Sequence, residues 1–253
     1  PESSQNPMLQ KIINGRKPVL LVLNKNDLAD PNRIKFWIEK LSEKNNQKAI
    51  ALSATDSKTK VVKLLIESIY DLTKEKRARL EKKGAKNVTM RAMVVGIPNV
   101  GKSTFINTLL GKNVVVTGNK PGVTRGKQWI RLSDDIELLD TPGILWPKFD
   151  NQEIGNKLAV TGAIKDSLLH MDDVALFAIN IFRTYYADAL RKPYGLSEAD
   201  LELSDVDLLL LITKKLGFKD DYERASERII FDIRGGKLGR YTLDTAPISL
   251  EGV

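Results

Sequence analysis

The sequence predicts an α/β fold followed by an all-helical domain, and three observations carry that reading. Apolar runs of five or six residues alternate with stretches of helical spacing over the first 148 residues. One of those runs leads into a glycine-rich loop and then a helix. Beyond Trp146 strand patterns nearly vanish and helical periodicity dominates. A boundary is therefore expected near residues 146–150, with a first domain over 1–148 and a helical second domain over 149–253.

Pro18 to Leu23 is a continuous apolar run, the pattern of a strand buried on both faces. Pro31 to Lys44 places Ile34, Trp37, Ile38 and Leu41 on one helical face, and Lys48 to Leu52 returns to strand. Thr59 to Lys83 is periodic through Val62, Leu65, Ile66, Ile69 and Leu72. It then becomes strongly charged, and Gly84 is its expected stop. Arg91 to Val95 reads as the strand feeding the glycine-rich loop, and Ser103 to Leu110 as the helix after it. Gln128 to Leu132 and Asp135 to Leu139 read as a hairpin turning at Ser133-Asp134. The later helices are expected at Glu153 to Leu169, Val174 to Ala189, Asp205 to Leu216 and Tyr222 to Arg234, with a break at Pro193-Tyr194-Gly195.

Composition excludes several classes. The 253 residues, 42% of them hydrophobic, can build a real core. No apolar run approaches the ~20 residues that cross a bilayer, so no membrane partner is expected. There is no cysteine, hence neither a disulfide framework nor a thiolate metal site. No signal peptide is visible, which fits the cytoplasm or an organelle matrix. The chain begins Pro1-Glu2-Ser3-Ser4 without an initiator Met, as a fragment or a chain lacking its native start would. Charge is uneven. Residues 1–145 carry 26 Lys and Arg against 14 Asp and Glu, and residues 146–253 carry 14 against 18. A basic first half points to a polyanionic partner, RNA before DNA, with no DNA specificity expected.

Gly96-Ile97-Pro98-Asn99-Val100-Gly101-Lys102-Ser103 fits the phosphate-loop pattern. Its glycines let the backbone N–H groups of Asn99 to Thr104 face phosphate oxygens, and the following helix N-terminus adds partial positive charge. Lys102 would reach the terminal phosphates and Ser103 a Mg2+ ion. Asp140-Thr141-Pro142-Gly143 closes the next strand but one. Asp140 there can hold Mg2+, and the Gly143 N–H can meet a terminal phosphate. Thr124, in Pro121-Gly122-Val123-Thr124, would complete the Mg2+ shell, with Thr117 a weaker substitute. Asn24-Lys25-Asn26-Asp27 selects guanine: the Asp27 carboxylate can accept from both N1–H and the exocyclic amine, a donor pair adenine lacks. The Lys25 stem can pack on the base, and Ser53-Ala54 could offer a backbone N–H to guanine O6. This base motif precedes the phosphate loop, so the order suggests a GTPase whose chain is circularly permuted.

The set of motifs resembles the circularly permuted GTPases, and more narrowly the YlqF/RbgA family of large-subunit assembly GTPases. Gly96 to Thr104, Pro121 to Thr124, Asp140 to Phe149 and Leu158 to Asp166 carry the likeness. It implies GTP and GDP as ligands and slow hydrolysis used as a switch in late assembly of the large ribosomal subunit. It also implies a precursor particle and its rRNA as partners, and a helical second domain that meets that rRNA. Arg228, Arg234, Lys237 and Arg240 are the cations expected there. Ile144 stands where many GTPases carry a water-orienting glutamine, and an aliphatic side chain cannot position water. The resemblance implies instead a histidine upstream of Pro1, and a strand ending near residues 1–8. His170 is expected at a helix end. Asn99 resembles the asparagine with which related GTPases hold K+ near the phosphates. The permuted order sends the segment after Asp140 directly into the second domain, so nucleotide state is expected to set that domain's angle or mobility. Competing readings are a GTP-sensing RNA scaffold with little hydrolysis, and an ATP-using kinase, which Asp27 argues against.

Overall fold

The computed structural model describes residues 1–13, 15–44, 46–86, 88–111, 128–146, 149 and 151–245. The chain divides into two compact units, Pro1–Pro147 and Lys148–Val253.

The first unit opens with a short helix that the sequence pattern does not announce, α1 (Pro7–Ile13). None of its residues is buried. Strand β1 (Val19–Leu23), helix α2 (Pro31–Ser42) and strand β2 (Gln47–Ala51) follow as a parallel βαβ unit, Val19 pairing with Gln47 and Leu23 with Ala51. Asp30 caps α2 by accepting from the Asn32 amide, and Pro31 sits at the first helical position, where its missing N–H costs nothing. Ala49 and Ile50 are adjacent in β2 and both buried, so this small sheet is covered on both faces. Ile50 joins the core built with α3 (Lys58–Lys82), while α2 packs on the other side with Trp37 and Leu41 buried.

Beyond α3 comes the second sheet, in the order β3 (Met90–Val94), β5 (Ile136–Asp140), β4 (Gln128–Ser133). β3 and β5 run parallel, and β4 and β5 form the expected hairpin with an irregularity between Arg131 and Ser133. Helix α4 (Lys102–Leu110) follows β3. Among the described residues the two sheets share no strand pairing, yet Ile50, Leu52, Leu65, Met90, Ile106 and Ile136 belong to one core. That shared apolar packing holds both sheets against α3.

The second unit is helical: α5 (Gln152–Val160), α6 (Met171–Tyr185), α7 (Ala187–Tyr194), α8 (Asp205–Lys215) and α9 (Tyr222–Arg234). Two expected helices are shorter than their periodicity suggested. α5 ends at Val160 because the Gly162 and Ala163 amides bond back to the Ala159 and Leu158 carbonyls. The helix expected to reach Ala189 breaks at Tyr186, whose backbone leaves the helical region; its hydroxyl accepts from the Thr242 amide. α7 then runs through Pro193 and stops at Gly195, within the expected break. Phe182, Leu190, Leu208, Ile212 and Ile229 are wholly buried in a core of this unit's own.

Candidate functional site

The glycine-rich loop joins β3 to α4. Gly101, immediately before α4, has φ +89°, and a Cβ there would lie 2.3 Å from Asn24 Nδ2. Backbone conformation and close approach both demand glycine. Asn99 also adopts a left-handed backbone, φ +57°, a conformation asparagine tolerates better than most residues. Lys102 opens α4 and folds back over the loop, its Nζ donating to the carbonyls of Gly96 (2.9 Å) and Ile97 (2.7 Å). Burial lowers its pKa to about 8, against the opposing attraction of Asp140. Ser103 and Thr104 follow in the first turn, where backbone N–H groups lack helical partners.

Asp140 ends β5 opposite Val94, the last residue of β3, so strand register sets it beside the loop. It is 1% exposed, and burial raises its pKa, opposed by the Thr141 amide and by Lys102. Its Oδ1 is buried with no hydrogen-bond partner among the described residues. The next residues lie against the loop. Thr141 Oγ1 donates to the Val94 carbonyl (2.7 Å) and the Ile144 amide to the Gly96 carbonyl (3.2 Å). A Cβ on Gly143 would come within 2.9 Å of Lys102 Nζ and 3.0 Å of the Pro98 nitrogen. Gly143 is thus small because the Lys102 ammonium and the loop backbone press against it. The Ile144 side chain is 58% exposed, while its carbonyl accepts from Asn6 Nδ2 (3.4 Å). Asn6 is buried, and nothing in its sequence surroundings marks it.

An orphaned carboxylate oxygen close enough to a buried lysine to feel its charge suits a hard cation. Among the described residues no group of three or more His, Cys, Asp and Glu could hold a metal. Ser103, in the first turn of α4, is the expected protein ligand beside Asp140 that lies among the described residues. Thr124 and the rest of Pro121–Thr124, with Thr117, lie outside the described residues.

The base-recognition stretch meets this loop directly. Asn24, just past β1, donates through Nδ2 to the Val100 carbonyl (2.9 Å) and accepts at Oδ1 from the Ala54 amide (2.9 Å). One side chain thereby joins three segments separated by 30 and 76 positions. Thr108 of α4 adds a second tie, its hydroxyl donating to the Ala54 carbonyl. A threonine at that spacing looks like an ordinary helical residue, so the sequence carries no signal for it. Lys25 has φ +60° and is exposed, and the Asn26 amide donates to the Leu52 carbonyl. The Asp27 carboxylate is exposed, and no described residue engages it. The Ala54 N–H, expected to face guanine O6, donates here to Asn24 Oδ1. Ser53 is buried, its hydroxyl in contact with Thr55 Oγ1 and its amide directed at Asp56.

In the second unit His170 occupies the position before α6, makes no side-chain capping bond there, and is exposed. The four expected cations do not form one free patch. Arg234 has a structural task instead. Its Nε and Nη2 donate to the Val160 and Ala159 carbonyls that end α5, and Nη1 and Nη2 grip Asp166 at 2.9 Å. Arg228 and Lys237 both bind Asp232, which is 5% exposed at its side chain. Arg240 is exposed.

The fold and site define a phosphate-loop GTPase with its base-recognition motif placed first. Comparisons with known proteins agree. The family model described as 50S ribosome-binding GTPase matches residues 91–233. Ribosome biogenesis GTPase A of Bacillus cereus is 44% identical over 97% of this chain and 82% of its own length. The Priestia megaterium protein of that name is 42% identical over 96% and 85%. Mitochondrial ribosome-associated GTPase 1 of Mus musculus is 31% identical over 96% and 80%. Among solved structures, GNP-bound YlqF from T. maritima superposes with a TM-score of 0.56 at 25% identity, over 87% of this chain and 78% of that one. The chain belongs to the ribosome biogenesis GTPase A family. It is a GTP-hydrolysing enzyme, and the scaffold reading without turnover is not favoured. No helix among the described residues is long and apolar enough to cross a membrane.

Proposed function

We propose that the protein is a GTP-driven switch in late assembly of the large ribosomal subunit, acting in the cytoplasm on a precursor particle and its rRNA. The names of its relatives and the description of its family model support the ribosomal target. The observation that supports the nucleotide reading is the Asn24 bridge, which ties the segment leading to Asp27 to the loop that precedes Lys102.

In this reading Asp27 accepts from the guanine edge and the Lys25 stem covers the base, while Asn24, Ser53 and Ala54 shape the loops around it. The amides of Asn99, Val100, Gly101, Lys102, Ser103 and Thr104 cradle the phosphates. Lys102 leaves the Gly96 and Ile97 carbonyls for the terminal phosphates, and the Gly143 N–H meets the last of them. Ser103, Asp140 and Thr124 would hold Mg2+, which would supply neutralisation of phosphate charge. Asn99 would hold K+ near the phosphates. Ile144, aliphatic and exposed, orients no water, so the hydrolytic site is completed by the particle or by the histidine that the resemblance implies upstream of Pro1. Arg228, Lys237 and Arg240 contribute to rRNA contact in the second domain, and Arg234 does not.

Turnover of GTP with and without purified large subunits tests this. We expect slow hydrolysis alone, marked stimulation by subunits, and no displacement of GTP by excess ATP. Asp27→Asn should lose GTP affinity about 100-fold, as a charge-assisted contact to two donors implies. Equal rates with and without subunits would refute the assembly reading, and unchanged affinity in the variant would refute the guanine site.

A further inference from the structure

α3 has two halves of opposite character. Val61, Leu65, Ser68 and Ile69 are buried, and Leu72 is half-buried. Seven residues on from Ile69 comes Lys76, seven on from Leu72 comes Arg79, and seven on from Lys76 comes Lys83. In a helix of 3.6 residues per turn these positions continue the same face with only a slow drift. Lys76, Arg79 and Lys83 are exposed. Leu80 still packs against the core and Arg77 against the sheet, while the edge of the helix beside them carries Lys76, Arg79, Lys82 and Lys83, all exposed. At about 37 Å the 25-residue helix outreaches the five-residue strands it packs on, which span about 16 Å.

Residues 74–86 carry seven Lys and Arg against Glu75 and Glu81. Arg77 is bound to Asp135, and Lys74 lies in the field of Asp71. Lys76, Arg79, Lys82, Lys83 and Lys86 make no ion pair among the described residues. Arg77 meets Asp135 at the β4–β5 turn, the end of the sheet opposite Asp140, so the overhang lies away from the nucleotide site.

We propose that this overhanging end of α3 is a second RNA-binding surface, gripping a phosphate backbone independently of the helical domain. It rests on the reading that the protein works on a ribosomal particle. The chemistry selects phosphate. No large hydrophobic residue of the overhang is exposed, so it has no apolar face to enter a bilayer. It offers no aromatic or aliphatic anchor such as the centre of a protein interface uses. A row of unpaired cations on one helix edge is what backbone contact requires, and it confers no base specificity.

The test is Lys76→Gln, Arg79→Gln, Lys82→Gln and Lys83→Gln combined, beside a variant with the three lysines changed to Arg. Glutamine keeps helix propensity, and circular dichroism and GTP titration check that fold and nucleotide site are intact. Binding is measured to a 20-base-pair RNA duplex from 50 to 200 mM salt, to purified large subunits, and to phosphatidylglycerol vesicles. We expect the Gln variant to bind the duplex 10- to 100-fold more weakly at 100 mM salt. Its slope of log affinity against log salt should be shallower by about 3, and the Arg variant should match the wild type. An unchanged slope in the Gln variant overturns the proposal. So does a loss confined to vesicles, or to subunits with duplex binding intact, which would indicate a lipid or an acidic protein. If the wild-type protein ignores large subunits, the assembly reading fails, while the duplex slope still decides the role of the overhang.

Discussion

The two sheets of the first unit are built on different terms. β1–β2 is covered on both faces by α2 and α3, with Ala49 and Ile50 buried and all of β1 half-buried. The β3–β5–β4 sheet has α3 and α4 on one face and turns the other outward, with Met93 60% and Trp129 56% exposed and Arg91 paired to Glu137. In the proposed reading the first sheet supplies the base-reading loops, and the second supplies the charge: Lys102, Asp140 and the head of α4. Neither makes a site alone. They are joined covalently through α3, at the end far from the nucleotide, and by hydrogen bonds at the near end through Asn24 and Thr108. Chain order can therefore be permuted without loss of the site, because cross-links between strand ends, not sequence proximity, set its geometry.

Breaking the near-end link should have the largest effect. Gly101→Ala forces a Cβ into a left-handed residue, at about 1–2 kcal/mol. It also displaces Asn24 Nδ2, now only 2.3 Å from that position. With the Val100 hydrogen bond lost as well, we expect about 2–4 kcal/mol of destabilisation and a loss of GTP affinity of about 100-fold or more. Asn24→Ala, which removes both bonds without strain, should cost about 2 kcal/mol. Urea unfolding followed by tryptophan fluorescence isolates the effect, since Trp37, Trp129 and Trp146 all lie in the first unit. If Asn24→Ala binds GTP like the wild type, the cross-link does not register the two halves.

The far-end link is structural and should separate stability from binding. Asp135 accepts from Tyr70 (2.9 and 3.0 Å), Arg77 (2.8 Å) and Ser133 (2.9 Å), and the Arg77 guanidinium lies 4.6 Å from the centre of the Tyr70 ring. These partners hold its carboxyl below the ordinary range despite burial, the largest and opposing influence. Asp135→Asn leaves Arg77 without a counter-ion. We expect a loss of about 1–2 kcal/mol in the same unfolding assay and unchanged GTP affinity. A drop in affinity would mean that strain travels along α3 to the site.

The sequence made most of the site's chemistry legible, because phosphate and guanine recognition demand particular residues at particular strand ends. Gly101, Lys102, Asp140 and Asn24 belong to short motifs whose spacing is set by backbone geometry. What it hid were roles set by tertiary packing. Thr108 and Asn6 act through single hydrogen bonds with partners 54 and 138 positions away. The motif spacing of Asn24 carries no sign of its bond to the Ala54 amide, 30 positions away. Arg234 looked like a surface cation because basic residues cluster around it in sequence. Its carbonyl and carboxylate acceptors lie 68 to 75 positions upstream. The break at Tyr186 was missed because periodicity continues across it.

Arg234 also gives the smallest and most specific prediction. The guanidinium hydrogen-bonded to Asp166 holds that carboxyl below its ordinary value of 3.8, with burial opposing. The lowered value means the folded state binds the Asp166 proton more weakly than the unfolded state. The stability this pair contributes is therefore fully present above pH 3.8, and is lost as pH falls through the depressed value. Asp166 is 52% exposed at its side chain, so solvent screening limits the effect to about 1 kcal/mol or less. Asp166→Asn should lower the melting temperature of the helical unit by a few degrees at pH 7, and the gap to the wild type should close as pH falls through the depressed value. Far-UV circular dichroism against pH for both proteins checks it. Arg234 keeps its bonds to Ala159 and Val160 in either case, so α5 should stay capped in the variant. A gap that persisted at low pH would show that Asp166 acts through packing and not through charge.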